Sequence, residues 1–217
     1  MIWDWGYAIE ILPALLRGLL VTLLATLLGS LLAFTLGLVF AVVRRNRVPV
    51  LDPLVRAFVE FWRSTPLLVQ AFLIFYVLPG YGITLSPLTA GVLALGLHYA
   101  CYTSEVYRAG IDAVPRGQWE AATALSLPRS RVWLGVVLPQ AVPRVLPALG
   151  NYVISMFKEV PLLLAIGVVE VVTVAQQLTA QSFSPVEPLT LAGLLFLLIS
   201  YPASLAVRRL ERRVGVV

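Results

Sequence analysis

Long apolar runs without charge alternate with short polar connections along the chain. The first, Gly18 to Val43, is long enough to cross a bilayer with some tilt, since a spanning helix needs about 20 apolar residues. Arg44, Arg45, Arg47 and Arg56 follow, broken by Asn46, Pro49, Asp52 and Pro53. A second stretch, Ser64 to Leu78, extends a helix that begins near Pro53 and stops at Pro79-Gly80-Tyr81-Gly82, a strong breaker. Ser86-Pro87 introduces a third helix over about Leu88 to Tyr107. Apolar character resumes at Val132, where Pro139, Pro143 and Pro147 interrupt it, which predicts a fourth span from about Arg144 to Phe157. Pro161 to Gln181 reads as a partial or re-entrant segment, tolerated at membrane depth only when buried in protein or lining a cavity. Leu189 to Val207 forms a last span before Arg208, Arg209, Arg212 and Arg213. The pattern predicts an all-α integral membrane protein of five transmembrane helices, forming one domain over residues 1–217.

Composition narrows the class. Of 217 residues, 59% are hydrophobic and 12% charged, against roughly 25% charged in a soluble domain. Most of the surface must therefore face lipid. The net charge of +5 would suggest nucleic acid in a soluble protein, but here the basic residues flank apolar runs, so none is expected as a partner. Twelve of the sixteen basic residues fall after the first span, after the third and in the C-terminal tail. Pro79 to Pro87 carries no charge, and Glu170 to Pro188 has acids only. The positive-inside rule then puts the N-terminus outside and the C-terminus in the cytoplasm. No cleavable signal peptide is expected, because Asp4 and Glu10 precede an overlong apolar stretch. Cys101 is alone, which excludes an intrachain disulfide, and one histidine with one cysteine makes no metal cluster.

A channel, a secondary transporter and a permease subunit all fit this outline; the polar loop over about 109–139 separates them. Glu120-Ala121-Ala122, then Ser126 after three residues, then Val136, Leu138 and Pro139 after nine more, resemble the cytoplasmic loop of bacterial ABC importers. That loop reads E-A-A, three residues, G, nine residues, I-x-L-P. Ser126 departs from the glycine and Val136 mildly from the isoleucine. Around the loop, "RSTPLLVQAFLIFYVLP" from Arg63, "SEVYRAGIDAVPRGQWEAATALSL" from Ser104, "LPQAVPRVLPALGNYVISMFKEVPLL" from Leu138 and "IGVVEVVTVAQQ" from Ile166 resemble the polar amino-acid ABC permease family. Within it, the opening "WDWGYAIEILPALL" is similar to ectoine and hydroxyectoine permeases.

The residues of the loop agree with that likeness. Gln118 to Leu125 is rich in helix formers, with Pro115-Arg116-Gly117 as its opening turn. Ala121, Ala122 and Ala124 permit close approach of another surface, and Trp119 is a residue type enriched at interface hot spots. The plainer alternative is an amphipathic interfacial helix. The resemblance implies that Gln118, Trp119, Glu120, Ala121, Ala122, Ser126 and Pro139 form the element coupled to an ATPase. It also implies an ABC ATPase subunit, a second permease chain and an extracytoplasmic solute-binding protein as partners, in the cytoplasmic inner membrane. This chain binds no cofactor by that likeness. Lys158 is the only lysine and lacks a Gly-rich loop with Ser or Thr after it, so ATP and Mg belong to the partner ATPase. A standalone secondary transporter or channel is the competing class; it would need no such loop.

Several polar residues fall within spans, where charge is costly. Glu60 with Arg63, and Glu105 with Arg108, are spaced for local ion pairs. His98, Tyr99, Tyr102 and Thr103 form one stripe of the third helix, suited either to a translocation path or to hydrogen-bonded helix packing. Gln70 and Asn151 share that ambiguity. Lys158 and Glu159, near the end of the fourth span, fit an interfacial pair or a contact with solute. The candidate path is thus Gln70, His98, Tyr102, Thr103, Asn151 and Lys158.

Overall fold

A computed structural model describes residues 3–214; the ends of the expected domain, 1–2 and 215–217, lie outside them. The described residues are almost entirely helical, joined by short turns. The helices are α1 (Trp5–Arg45), α2 (Leu51–Arg63), α3 (Leu67–Phe72), α4 (Pro87–Asp112), α5 (Arg116–Ala124), α6 (Arg129–Val132), α7 (Leu138–Glu159), α8 (Val171–Ser182) and α9 (Val186–Val214).

α1 is an inside-out helix. Its inward stripe consists largely of small residues, including Gly18, Thr22, Ala25, Gly29, Ala33, Gly37 and Ala41. Leu20, Leu27, Leu31 and Leu38 point outward and are exposed. Such a stripe lets backbones approach closely, the usual basis of helix association in lipid. It meets α4 in the most extensive helix pairing of the fold. A Cβ on Gly37 would stand 2.1 Å from Thr103 Oγ1, and one on Gly96 would stand 2.4 Å from Leu32 Cδ2. Thr103 donates to the Ala33 carbonyl at 2.9 Å, so its hydroxyl is satisfied inside the pair. Near the other end of α1, a Cβ on Gly18 would lie 2.9 Å from the Val171 Cα.

Among the described residues, three helical stretches are long and apolar enough to cross a membrane: Trp5–Arg45, Arg129–Ile166 and Val186–Val214. A bent pair, Leu51–Arg63 with Leu67–Tyr81, adds a fourth. α4, the remaining expected span, has the length (26 residues, or about 39 Å at 1.5 Å each). Its central polar stripe lowers its apolar character, and it is shielded by α1 and α7.

Three expectations need correction. The second span is not one helix from Pro53, because the chain bends by 110° between Arg63 and Leu67. Pro66 cannot donate a backbone bond and disfavours helix at Thr65. The fourth span does not begin at Arg144. Helical structure runs from Arg129 to Ile166 with Pro143 and Pro147 inside α7, as membrane helices tolerate where neighbours supply compensating contacts. Arg116 and Gly117 belong to α5 itself rather than to a turn before it, with Pro115 as its extended N-cap.

Two π turns have a common cause. Trp133–Val137 closes with Leu138 N–H on the Trp133 carbonyl, and Leu73–Val77 with Leu78 N–H on the Leu73 carbonyl. Each is followed by Leu-Pro, at 138–139 and 78–79. The proline has no N–H to continue the ordinary ladder, so the preceding turn widens. The partial segment after Glu159 is a 3₁₀ turn, Val160–Ile166, then left-handed Gly167 and α8. Glu170 caps α8, accepting from Val172 N–H at 3.0 Å and Thr173 N–H at 2.7 Å.

The tightness of the α1–α4 contact yields a test. Gly37→Ala should lower the thermal midpoint of the purified protein, a cost of about 1–3 kcal/mol for overpacking. Gly80→Ala should leave it unchanged, since a Cβ there meets nothing within 4 Å.

Candidate functional site

Five arginines gather at one end of the bundle. Arg44 and Arg108 both bond Glu105, the latter at 2.8 Å, and Arg63 lies 3.9 Å from it. The expected Glu105–Arg108 pair is present. The expected Glu60–Arg63 pair is not, because Arg63 turns across to α4. Arg45 Nη1 sits 2.7 Å from Asp112 Oδ1, and Arg144 donates to the Ala113 carbonyl.

α5 lies beside this cluster and has two faces. Ala122, 3% exposed, turns inward. Trp119 is half-buried against Trp133, ring centres 5.7 Å apart and nearly perpendicular, over Val114, Val137 and Ala141. Gln118, Glu120, Ala121 and Leu125 face outward, Leu125 being 72% exposed. Trp119 and Ala122 therefore anchor α5 to its own chain, and the outward set is what a second protein can touch. Pro139 acts at a distance, by widening the turn that carries Trp133.

Ser126 ends α5 in the left-handed conformation, φ 51°. Leu127 N–H bonds the Ala122 carbonyl and Ser126 N–H that of Thr123, a Schellman arrangement that glycine adopts without strain. The serine thus keeps the turn but carries a Cβ where none is preferred.

A second feature lies between α4 and α7. His98, Tyr99, Tyr102, Tyr152, Ser155 and Glu159 line a cleft of about 200 Å³, smaller than a drug-sized pocket of about 300–1,000 Å³. Tyr152, Ser155 and Glu159 share one face of α7 by their spacing. Tyr99 donates to Glu159 Oε2 at 2.9 Å, and the Arg63 guanidinium stands 5.4 Å from the Tyr102 ring centre. Gln70, 0% exposed, donates its amide nitrogen to the Trp62 and Thr65 carbonyls at 2.6 and 3.0 Å. Its oxygen is left for His98 Nδ1 at 3.0 Å. His98 must then donate from Nδ1, which leaves Nε2 as the acceptor of the neutral ring.

Of the six expected path residues, the structure brings His98 and Tyr102 to this cleft, with Gln70 behind His98. Thr103 packs on α1. Asn151 bonds Glu211 at 3.2 Å on another face of α7. Lys158 borders a separate, largely apolar groove with Phe196 and Leu197. Sequence reasoning omitted Tyr152 and Ser155; the signal for them was the period joining them to Glu159.

A family described as "Binding-protein-dependent transport system inner membrane component" matches residues 33–216. The probable amino-acid ABC transporter permease protein y4tG of Sinorhizobium fredii is 46% identical over 211 residues, 95% of this chain and 91% of that protein. The probable glutamine ABC transporter permease protein GlnP of Bacillus subtilis is 35% identical over 213 residues, covering 96% and 97%. A crystal structure of an amino acid ABC transporter with histidines superposes with a TM-score of 0.91 at 31% identity, over 98% of this chain and 100% of that one.

The fold and the family match together define an inner-membrane transport subunit. This chain belongs to the binding-protein-dependent transport system inner membrane component family and is the permease subunit of an ABC importer. It is not itself an ATPase: ATP binds in the partner ATPase subunit, and a binding protein serves the importer. The standalone transporter is thereby set aside.

The strained C-cap gives a direct expectation. Ser126→Gly should raise the thermal midpoint, by relief of about 1 kcal/mol, whereas Ser126→Val should lower it.

Proposed function

We propose that this permease passes a small zwitterion, an amino acid or a close derivative, and that the cleft between α4 and α7 is where the chain touches it. The observation that carries this reading is the pairing of unlike groups in one small space. A zwitterion brings a cationic nitrogen and a carboxylate, and either is costly to desolvate without a partner. Glu159, bonded only at Oε2 among the described residues, offers Oε1 to the nitrogen, and His98 lines the same cleft. The hydroxyls of Tyr152 and Ser155 can donate to the carboxylate, as can that of Tyr102 on giving up its long 3.5 Å bond to the Arg63 carbonyl. Neutral hydroxyls hold weakly, which lets the solute leave and assigns selectivity mainly to the binding protein. The names of the two relatives and the solved transporter support an amino acid. None of them mentions ectoine or hydroxyectoine, the narrower candidates suggested by the opening segment.

In this reading the arginine-rich end is cytoplasmic, with the N-terminus outside and the C-terminus inside. Two permease chains, alike or paralogous, close the two clefts against each other. The outward face of α5, with Gln118, Glu120 and Ala121, docks on the ATPase. Closure of the ATPases on ATP draws the two coupling helices together and opens the path outward; hydrolysis resets it.

Uptake in proteoliposomes holding the complete importer tests the substrate. Glu159→Gln should cut uptake of a labelled amino acid at least ten-fold, the scale of one unpaired buried charge, without altering which solute the binding protein captures. Ectoine moving in place of glutamine and arginine would narrow the class to ectoines. A sugar or a metal ion as the sole cargo would refute the zwitterion reading.

Docking is tested separately by Ala121→Trp. The bulky ring should abolish co-purification of the ATPase while membrane insertion stays normal. Undisturbed association would remove α5 as the docking element.

A further inference from the structure

We infer that Arg45 is a positioning residue for energy coupling: held against Trp119 and Trp133 and paired with Asp112, it fastens the coupling helix to the end of α1. The inference rests on the reading of α5 as the ATPase-docking helix.

α5 is joined by the chain to α4 on one side and, through α6, to α7 on the other. Motion entering at α5 has a direct covalent route to those two helices, whereas α1 is reached along the chain only through α4, α3 and α2. α1 is nevertheless the longest helix and touches α4, α7, α8 and α9. Arg45 is its last residue. The guanidinium carbon lies 5.3 Å from the Trp119 ring centre and 5.6 Å from that of Trp133, and Nη1 reaches Asp112 Oδ1 at 2.7 Å. One side chain thus ties α1 to the end of α4, to α5 and to the π turn before α7.

The ion pair alone would be a weak tether. The Asp112 side chain is 58% exposed, and exposed pairs contribute little. The planar cation against two indoles adds attraction that neither a shorter side chain nor a neutral one reproduces. A lysine would retain the charge pair and lose the planar contact. The neighbouring Arg44 bonds Glu105, so the same turn of α1 is pinned to the body of α4. With α1 held on one side by Arg44 and on the other by Arg45, displacement of α5 pulls on α1. The movement then reaches the opposite end of the bundle, where Gly18 abuts Val171 and Asp4 N–H bonds Glu187 at 3.0 Å.

The test uses the complete importer in proteoliposomes with its solute-loaded binding protein. Three quantities are read: ATPase co-purified with the permease, ATP hydrolysed, and solute accumulated per ATP. For Arg45→Gln, ATPase association should persist while solute per ATP falls on the order of five-fold, the scale of losing two cation–π contacts. Arg45→Lys should lie between that variant and the native chain. Unchanged solute per ATP in Arg45→Gln would overturn the inference, and so would full activity in Arg45→Lys, since the guanidinium's contact with the indoles would then be unnecessary. If Arg45→Gln does not assemble, Trp133→Leu removes one of the two indole contacts and keeps the ion pair. A fall in its solute per ATP supports the tether, and native coupling refutes it. Failure of the underlying reading looks different: Ala121→Trp would then leave the ATPase attached, whatever Arg45 does.

Discussion

In lipid no apolar driving force brings one helix to another, so association depends on close contact and on satisfied polar groups. The seam between α1 and α4 supplies both. Glycine and alanine on α1 let the backbones approach, and Thr103 bonds the Ala33 carbonyl across the contact. The other features depend on that seam. It sets the end of α1 beside Glu105 and Asp112, so that Arg44 and Arg45 reach different partners. It also fixes the rotation of α4, which turns His98, Tyr99 and Tyr102 away from α1 and toward α7.

The short helix α5 shows how a segment can be both fixed and available. Nine residues make a marginal helix by themselves. α5 is stabilised from within by Trp119 and Ala122 and is closed at Ser126 by a left-handed turn. That leaves the opposite face, with Gln118, Glu120, Ala121 and Leu125, exposed, as the proposed docking on the ATPase requires. A rigid inward anchor is what lets an outward contact transmit force, because a helix held only by its ends would roll.

Much of this was legible in the sequence where one helix decides the outcome. The first and last spans, the turn at Pro79, the α5 helix and the Glu105–Arg108 pair follow from local pattern. What was not legible depends on contacts across the fold. Arg63 has Glu60 at ion-pair spacing but meets Glu105 and Tyr102 on another helix. Asn151 and Lys158 lie next to Tyr152 and Glu159 in sequence, yet a step of one residue on a helix turns each to another face. Trp119 looked like an interface anchor because tryptophans often are; its partner, Trp133, is brought within reach by a π turn that Pro139 causes. At 126 the sequence showed only a departure from the motif glycine; the left-handed turn itself, with a positive φ at Ser126, is seen in the fold.

The account turns on α5 having an inward face held by the permease and an outward face offered to the ATPase. Photo-crosslinking from single positions in the assembled importer measures this most directly. A photoreactive side chain at Leu125 should capture the ATPase subunit, and one at Trp119 should yield only crosslinks within the permease. Capture of the ATPase from Trp119, with none from Leu125, would contradict the account.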